Sequence, residues 1–267
     1  NLAGLCVGGT LSVMLQAWLA DAGEDKIRSA TLLNTLVDFS EPGPLAAFTD
    51  AEAVEGVEAK MAEPGFLDGR HMATTFDALR PNDLIWNYVG TNWLMGGTPP
   101  AFDILAWNAD ATRIPAATHS QYLRSFYLEN RLAKGTMSLA GRSLRLDTIT
   151  ADTYVLGARE DHITPWASSY ATTGLLEEAA VRFVLSSAGH IAGIVNPPGP
   201  KRLHWINEAL PRDPQKWLAG AVQHTGSWWE DWAGWLGQRA GRRRKPPAMG
   251  SADHPVLGDA PGTYVLS

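Results

Sequence analysis

A single cysteine, Cys6, stands in 267 residues. One thiol cannot close an internal disulfide, so a disulfide-stapled secreted scaffold is excluded. Nor can it build a cysteine-rich zinc or iron–sulfur site. No run of 18 apolar residues occurs, which leaves no candidate transmembrane helix. No basic-then-apolar signal peptide opens the chain, but it begins at Asn1 rather than Met, so that absence says nothing about the native N-terminus. An excess of positive charge is also lacking: 22 Lys+Arg stand against 28 Asp+Glu, for a net charge of −6. That balance argues against a general nucleic-acid binder. The one basic run, Arg242-Arg243-Arg244-Lys245 before Pro246-Pro247, reads as a solvated linker, with an anion or surface patch as the sharper alternative. No dinucleotide-binding glycine loop, Walker A loop or H-E-x-x-H is present, so neither a cofactor nor a metal is expected.

What is there is a globular composition, 45% hydrophobic and 19% charged, too apolar for disorder and long enough for one or two domains. Trp (11) outnumbers Phe (7) and Tyr (6) separately, which suits deep pockets or apolar interfaces. After an opening Leu2-Ala3-Gly4-Leu5-Cys6, the residues Leu11, Met14, Leu15, Trp18 and Leu19 recur at helical spacing until Asp21-Ala22-Gly23. Residues 30–35, 153–158 and 181–186 read as short buried strands. Between the last two, Thr164 is a plausible N-cap with Pro165 at the first helical position, and the pattern runs to about Leu176. This strand–helix–strand rhythm predicts a parallel α/β fold.

About 120 residues separate the strand at 30–35 from that at 153–158, where a βα unit needs only about 30. The surplus reads as a mostly helical insertion that covers a site as a lid. Asn82 is expected to cap a helix carrying Ile85, Trp86, Val89 and Trp93, and Ser120 one carrying Leu123, Phe126, Tyr127 and Asn130. Residues 139–144 read as a small hairpin. Trp228, Trp232 and Trp235 share one face of a later helix, expected to pack on the sheet. The chain thus divides into core (1–37), lid (38–147), core (148–240) and tail (241–267).

Gly4-Leu5-Cys6-Val7-Gly8 has the form of a nucleophile elbow, G-x-S-x-G with Cys for Ser. The nucleophile of an elbow sits on a tight strand-to-helix turn, and glycines on both sides are expected because a Cβ at either would collide with its neighbours. A helix from Thr10 points its N-terminus at the thiol, favouring the thiolate and offering the Val7 amide as an oxyanion donor. In elbow architectures the order is nucleophile, acid, histidine. Asp161 follows one strand end and His190 follows the next, so Cys6, Asp161 and His190 meet both order and context. Glu160 is the alternative acid. His162 reads as a supporting or structural group, and His71, His119, His204, His224 and His254 as surface or packing residues. A cysteine nucleophile forms an acyl thioester that keeps its reactivity for transfer to an alcohol, which points to acyl transfer under a lid rather than hydrolysis.

Several longer strings extend this reading. Residues 4–10, 35–43, 72–76 (Met-Ala-Thr-Thr-Phe), 79–88, 99–103, 107–113 (Trp-Asn-Ala-Asp-Ala-Thr-Arg), 159–163 (Arg-Glu-Asp-His-Ile), 189–193 (Gly-His-Ile-Ala-Gly), 196–198 and 226–229 (Gly-Ser-Trp-Trp) together resemble the catalytic region of the polyhydroxyalkanoate synthases, most similar to class I. The resemblance implies an α/β-hydrolase fold with a lid and a triad of Cys6, Asp161 and His190. It implies transfer of an acyl group from (R)-3-hydroxyacyl-CoA to Cys6, release of CoA, and attack by a 3-hydroxyl that lengthens a polyester. It leaves open whether Asp161 orients His190 or helps activate that hydroxyl. Trp107 is implied near the site or a dimer contact, with a buried lid anchor as the alternative. The family implies a homodimer in the cytoplasm at the surface of polymer granules, with short monomers such as 3-hydroxybutyryl for class I. The competing readings are a thioesterase or esterase on the same scaffold, and a non-catalytic granule-binding or dimerisation piece. Family members carry a long region before the elbow, whereas five residues precede Cys6 here. A partial fold is therefore expected, without the first strands and the second oxyanion donor, and inactive and poorly soluble alone.

Overall fold

The structure, a computed structural model, describes residues 1–98, 112–260 and 262–263. Trp107 lies outside the described residues, as do most of the strings at 99–103 and 107–113. The main sheet has six strands, β1 (Leu2–Leu5), β2 (Ser29–Leu33), β5 (Asp152–Ala158), β6 (Val181–Ser186), β7 (Leu203–Ile206) and β8 (Val222–Thr225), in the order β1-β2-β5-β6-β7-β8. The first four run parallel and β7 and β8 antiparallel. A separate hairpin, β3 (Ser138–Leu139) with β4 (Arg142–Ser143), occupies the expected place. The antiparallel pair β7–β8 adds to the strands read from the pattern. Short and broken by polar residues such as His204, Gln223 and His224, these strands carry little of the apolar signal that marks β2 and β5.

Both faces of the sheet are covered, as a parallel sheet demands. On one face α1 (Val7–Asp21) buries Val13, Met14 and Ala17 against Leu32, Val155 and Leu185, with Tyr170, Phe183 and Trp217, the last on α7 (Pro214–Ala219), filling the far side. On the other, α8 (Trp228–Gly237) packs Trp228 and Trp235 on Tyr154, Leu156 and Val184. The indole of Trp232 donates to Thr31 Oγ1 at 3.0 Å, so the tryptophan face does pack on the sheet. Among the described residues no helix is long and apolar enough to cross a membrane.

Between β2 and β5 the described chain is mostly helical: a 3₁₀ turn (Gly43–Phe48), α2 (Ala51–Met61), α3 (Gly69–Leu79), wide helical turns (Asn82–Trp86, Val89–Leu94), α4 (Ala116–Tyr122) and a further wide turn (Leu123–Leu128). The caps differ from expectation. Asp50 and Asp68 cap α2 and α3 by accepting from Ala53 N and Arg70 N. Asn82 lies inside a helical turn that Pro81 precedes. Ser120 sits within α4, where its hydroxyl donates to Glu58 of α2 instead of accepting from a backbone N–H as a cap would. Nor does Thr164 cap the following helix: Pro165 takes the extended N-cap position of α5 (Trp166–Ala171). In each case a carboxylate distant in sequence, or a proline's fixed φ, claims the position that local pattern assigned to a cap.

The elbow joins β1 to α1. Cys6 has φ 51 and ψ −122, a positive φ rare for a residue with a side chain. Its N–H donates to Leu33 O at 2.9 Å, and its carbonyl accepts from Gly9 N at 2.9 Å and Thr10 N at 3.3 Å. A Cβ on Gly4 would lie 2.4 Å from Gly8 O, and one on Gly9 would lie 1.9 Å from Thr35 Oγ1. One on Gly8 would meet nothing within 4 Å. The expectation that both glycines flanking the cysteine at two positions are sterically required therefore holds for Gly4 and fails for Gly8; the second tight approach is at Gly9. Gly4→Ala and Gly9→Ala are each expected to lower stability by on the order of 2–3 kcal/mol in urea unfolding. Gly8→Ala should change it by less than about 1 kcal/mol, and an equal loss at all three would contradict this account.

Candidate active site

The parallel strands end at one edge of the sheet, and the loops after β1, β5 and β6 each deliver one side chain. Cys6 follows β1 and is half-buried. Asp161 follows β5 and its side chain is fully buried. His190 follows β6 as the first residue of α6 (His190–Ile194), its side chain 10% exposed. Asp161 Oδ2 accepts from His190 Nδ1 at 2.7 Å and from Thr164 Oγ1 at 2.7 Å. Asp161 Oδ1 accepts the backbone N–H of Ile163 at 2.8 Å and of Thr164 at 2.9 Å. The carboxylate thus has donors on both oxygens. With Nδ1 facing Asp161 and, at 3.3 Å, Thr164 Oγ1, Nε2 is the nitrogen left for Cys6, whose hydrogen bond and charge act on His190.

Two opposed effects set the charge of this pair. Burial alone would raise Asp161, but the His190 bond and charge and the Thr164 donors outweigh it and hold the carboxyl below its ordinary value. Burial alone would lower His190; the hydrogen bonds and charges of Asp161 and Cys6 outweigh it and lift the imidazole to about 9. An imidazole raised in this way readily takes up the proton of a thiol beside it.

Val7 opens α1 and is 42% exposed. Its amide is the first of α1, ahead of the Gly9 and Thr10 N–H groups that bond the Cys6 carbonyl, and an N–H at that position has no intrahelical acceptor, the place an oxyanion donor would occupy. Glu160, the alternative acid, is exposed, and its N–H is bonded to Ala188 O at 3.0 Å. His162 is partly buried next to Asp161. Among the described residues no group of three or more His, Cys, Asp or Glu could hold a metal ion.

Sequence pattern missed the lid's contribution. Tyr122 and Tyr127 lie near enough to Cys6 to feel its charge. Burial, then Tyr127 and Cys6, push Tyr122 well above its ordinary value. Burial lifts Tyr127 to about 12, with its bond to Tyr122 opposing and Cys6 adding. Phe39 meets Tyr127 edge-on at 4.9 Å and Tyr122 at 6.1 Å, and Phe126 completes the cluster. Asn130, at φ 50, locks this arrangement by donating to Asp38 Oδ1 at 2.7 Å and accepting from Phe39 N at 3.1 Å. Asn34 was also missed; fully buried at φ 45, it donates to the His190 carbonyl at 2.6 Å. A lone Asn closing the apolar run of β2 was the one available signal for it.

This fold and elbow place the chain in a family. It belongs to the alpha/beta hydrolase fold family, whose model matches residues 1–197. It is 48% identical over 273 residues to the poly(3-hydroxyalkanoate) polymerase subunit PhaC of Cupriavidus necator, a match covering 99% of this chain and 46% of that protein. It is 46% identical over 265 residues to the poly(3-hydroxyalkanoate) polymerase of Methylorubrum extorquens, covering 98% and 44%. With the PhaC subunit of Rhizobium meliloti it shares 44% over 266 residues, covering 99% and 43%. The chain spans a little under half the length of these curated relatives.

The raised histidine has a consequence for stability. A group raised from about 6.5 to about 9 on folding contributes stability that is complete below about pH 6.5 and lost as pH rises through about 9. Urea midpoints should therefore fall between pH 6.5 and 9, and His190→Gln should remove that slope. A parent protein whose midpoint is flat over this window would refute the coupling.

Proposed function

We propose that the protein is a polyhydroxyalkanoate synthase, an acyltransferase that polymerises (R)-3-hydroxyacyl-CoA, with Cys6, Asp161 and His190 as its catalytic residues. The observation that carries this reading is His190 held between Asp161 and Cys6 at an elbow, in a chain 48% identical to a poly(3-hydroxyalkanoate) polymerase subunit.

In the first half-reaction His190 takes the Cys6 proton at Nε2 while Asp161 holds Nδ1 and balances the imidazolium. The thiolate attacks the thioester carbonyl, and the Val7 N–H faces the oxyanion that develops. The carbon–sulfur bond to CoA breaks, and the CoA thiolate leaves with the proton from His190. In the second half-reaction the 3-hydroxyl of an acyl unit gives its proton to His190 and attacks the acyl-cysteine carbonyl. The ester forms, the Cys6 thioester breaks, and the thiol is restored. Because the acyl-cysteine is itself a thioester, little driving force is lost before ester formation. Asp161 orients His190 in both halves; its buried carboxylate, already occupied by four donors, is poorly suited to act directly on the hydroxyl.

The segment 38–147 serves as the lid, and its cluster of Phe39, Tyr122, Phe126 and Tyr127 excludes water that would otherwise hydrolyse the intermediate. The similarity to class I favours short monomers, 3-hydroxybutyryl-CoA first. A homodimer at the cytoplasmic surface of polymer granules, with Trp107 near the site or the dimer contact, completes the proposal.

The test is turnover of the full-length protein with 3-hydroxybutyryl-CoA. Released CoA with insoluble polyester is expected, as is loss of at least about a thousandfold in rate with Cys6→Ala. CoA accompanied only by free 3-hydroxybutyrate would sink the synthase reading in favour of a thioesterase. Unchanged activity in Cys6→Ala would remove the nucleophile assignment.

A further inference from the structure

The helix that carries His190 is only five residues long, and a helix so short has little stability of its own. Its last carbonyls have no partners within it. Two successive ones are taken by two successive tryptophans at the start of α8: Trp228 Nε1 donates to Gly193 O at 2.8 Å, and Trp229 Nε1 donates to Ile194 O at 2.9 Å. The two indoles stand at 85° to each other, which lets neighbouring residues reach neighbouring carbonyls. Just beyond, the Ser227 hydroxyl donates to Asn196 O while capping α8 by accepting from Trp229 N at 3.0 Å. At the opposite end of the short helix, Asn34 Nδ2 donates to the carbonyl of His190 itself at 2.6 Å. Asn34 is pinned in turn, its N–H bonded to Leu156 O of β5 at 2.9 Å. Under the helix, Gly193 sits so close to the sheet that a Cβ there would lie 2.6 Å from Ala158 Cβ and 2.8 Å from Ser186 Oγ.

We infer that Asn34, Ser227, Trp228 and Trp229 form a clamp that sets the position of His190 against Cys6, so that they are positioning residues for the reaction. Packing alone would bury these tryptophan rings on the sheet but would not require adjacent indoles to donate to consecutive carbonyls of one helix. The clamp fixes α6 from its first residue to its last, and the gap between imidazole and thiol follows from that fixation; a misplacement of about 1 Å at such a gap can cost on the order of a hundredfold in rate. The inference rests on the catalytic reading of Cys6 and His190 above, but not on the identity of the acyl substrate.

The test uses the full-length protein and the rate at which iodoacetamide carboxymethylates Cys6, followed by mass spectrometry of the Cys6 peptide across pH. Trp228→Phe and Trp229→Phe keep an aromatic ring but delete the indole donor; Asn34→Ala deletes the contact at the other end of the helix, and His190→Ala sets the floor. Each clamp variant is expected to lose roughly tenfold in rate at pH 7, and the limb of the profile that follows His190, near 9 in the parent, should move down. In turnover, kcat should fall with KM little changed. Trp229 is only half-buried, so its variant keeps the test available if Trp228→Phe does not fold. Folded clamp variants with the parent's profile would overturn the clamp while leaving the catalytic pair intact. A parent profile equal to that of His190→Ala would overturn both, and absence of polyester with the alkylation results unchanged would remove only the reaction assignment.

Discussion

Everything at the candidate site depends on a backbone constraint at Cys6. A non-glycine residue at positive φ costs on the order of 1–3 kcal/mol and persists only where its surroundings leave no alternative. Here the N–H continues the β1–β2 ladder to Leu33, the carbonyl starts α1 by accepting from Gly9 and Thr10, and Gly4 and Gly9 allow strand, helix and the Thr35 side chain to close to distances that a Cβ would forbid. A relaxed turn would break either the last pairing of β1 or the first turn of α1. The strain and the exposure of the thiol at the sheet edge are therefore one feature.

The electrostatics of the edge follow from what β5 and β6 deliver to it. A fully buried carboxylate is costly to keep charged. Two backbone amides, the Thr164 hydroxyl and the imidazole together reverse that cost for Asp161, and the hydrogen bonds and charges of Asp161 and Cys6 together reverse the burial penalty on His190. Hydrogen bonds and nearby opposite charges together outweigh desolvation at both groups, which is what lets a carboxylate–imidazole pair exist beneath an aromatic lid. The lid contributes the opposite environment: Phe39, Tyr122, Phe126 and Tyr127 bring apolar surface and hydroxyls that burial keeps protonated.

The two covering layers divide the work. The lid approaches Cys6 through the Asn130–Asp38 lock, while the tryptophan helix on the far face of the sheet holds the short helix that bears His190. That helix is anchored in its turn. Arg182 pairs with Asp231 and Tyr154 donates to Asp231 at 3.0 Å, joining α8 to the sheet, and Arg239, just beyond the end of α8, pairs with Asp152 of β5. A tryptophan-rich composition thus finds much of its use behind the site, where indole N–H groups satisfy carbonyls that a five-residue helix cannot satisfy itself.

By itself the sequence determined the parallel α/β core, the helical insertion, the elbow at Cys6, and the order in which an acid and a histidine follow later strand ends. These are legible because they obey local rules: the periodicity of apolar residues, the glycines of a tight turn, and the position of a loop after its strand. Tertiary structure placed Asp161, the acid the order favoured, against His190; it alone decided that Gly9 rather than Gly8 is the crowded glycine, and that Ser120 and Thr164 serve distant or neighbouring carboxylates instead of capping helices. It alone added β7 and β8, the aromatic cluster over Cys6, and the bonds that tie Asn34, Trp228 and Trp229 to the histidine helix. Those partners lie 35 residues away for the tryptophans and 156 for Asn34, and a hydrogen bond across such a separation leaves no periodic trace in either segment. It exists only once the sheet has brought the strand ends together.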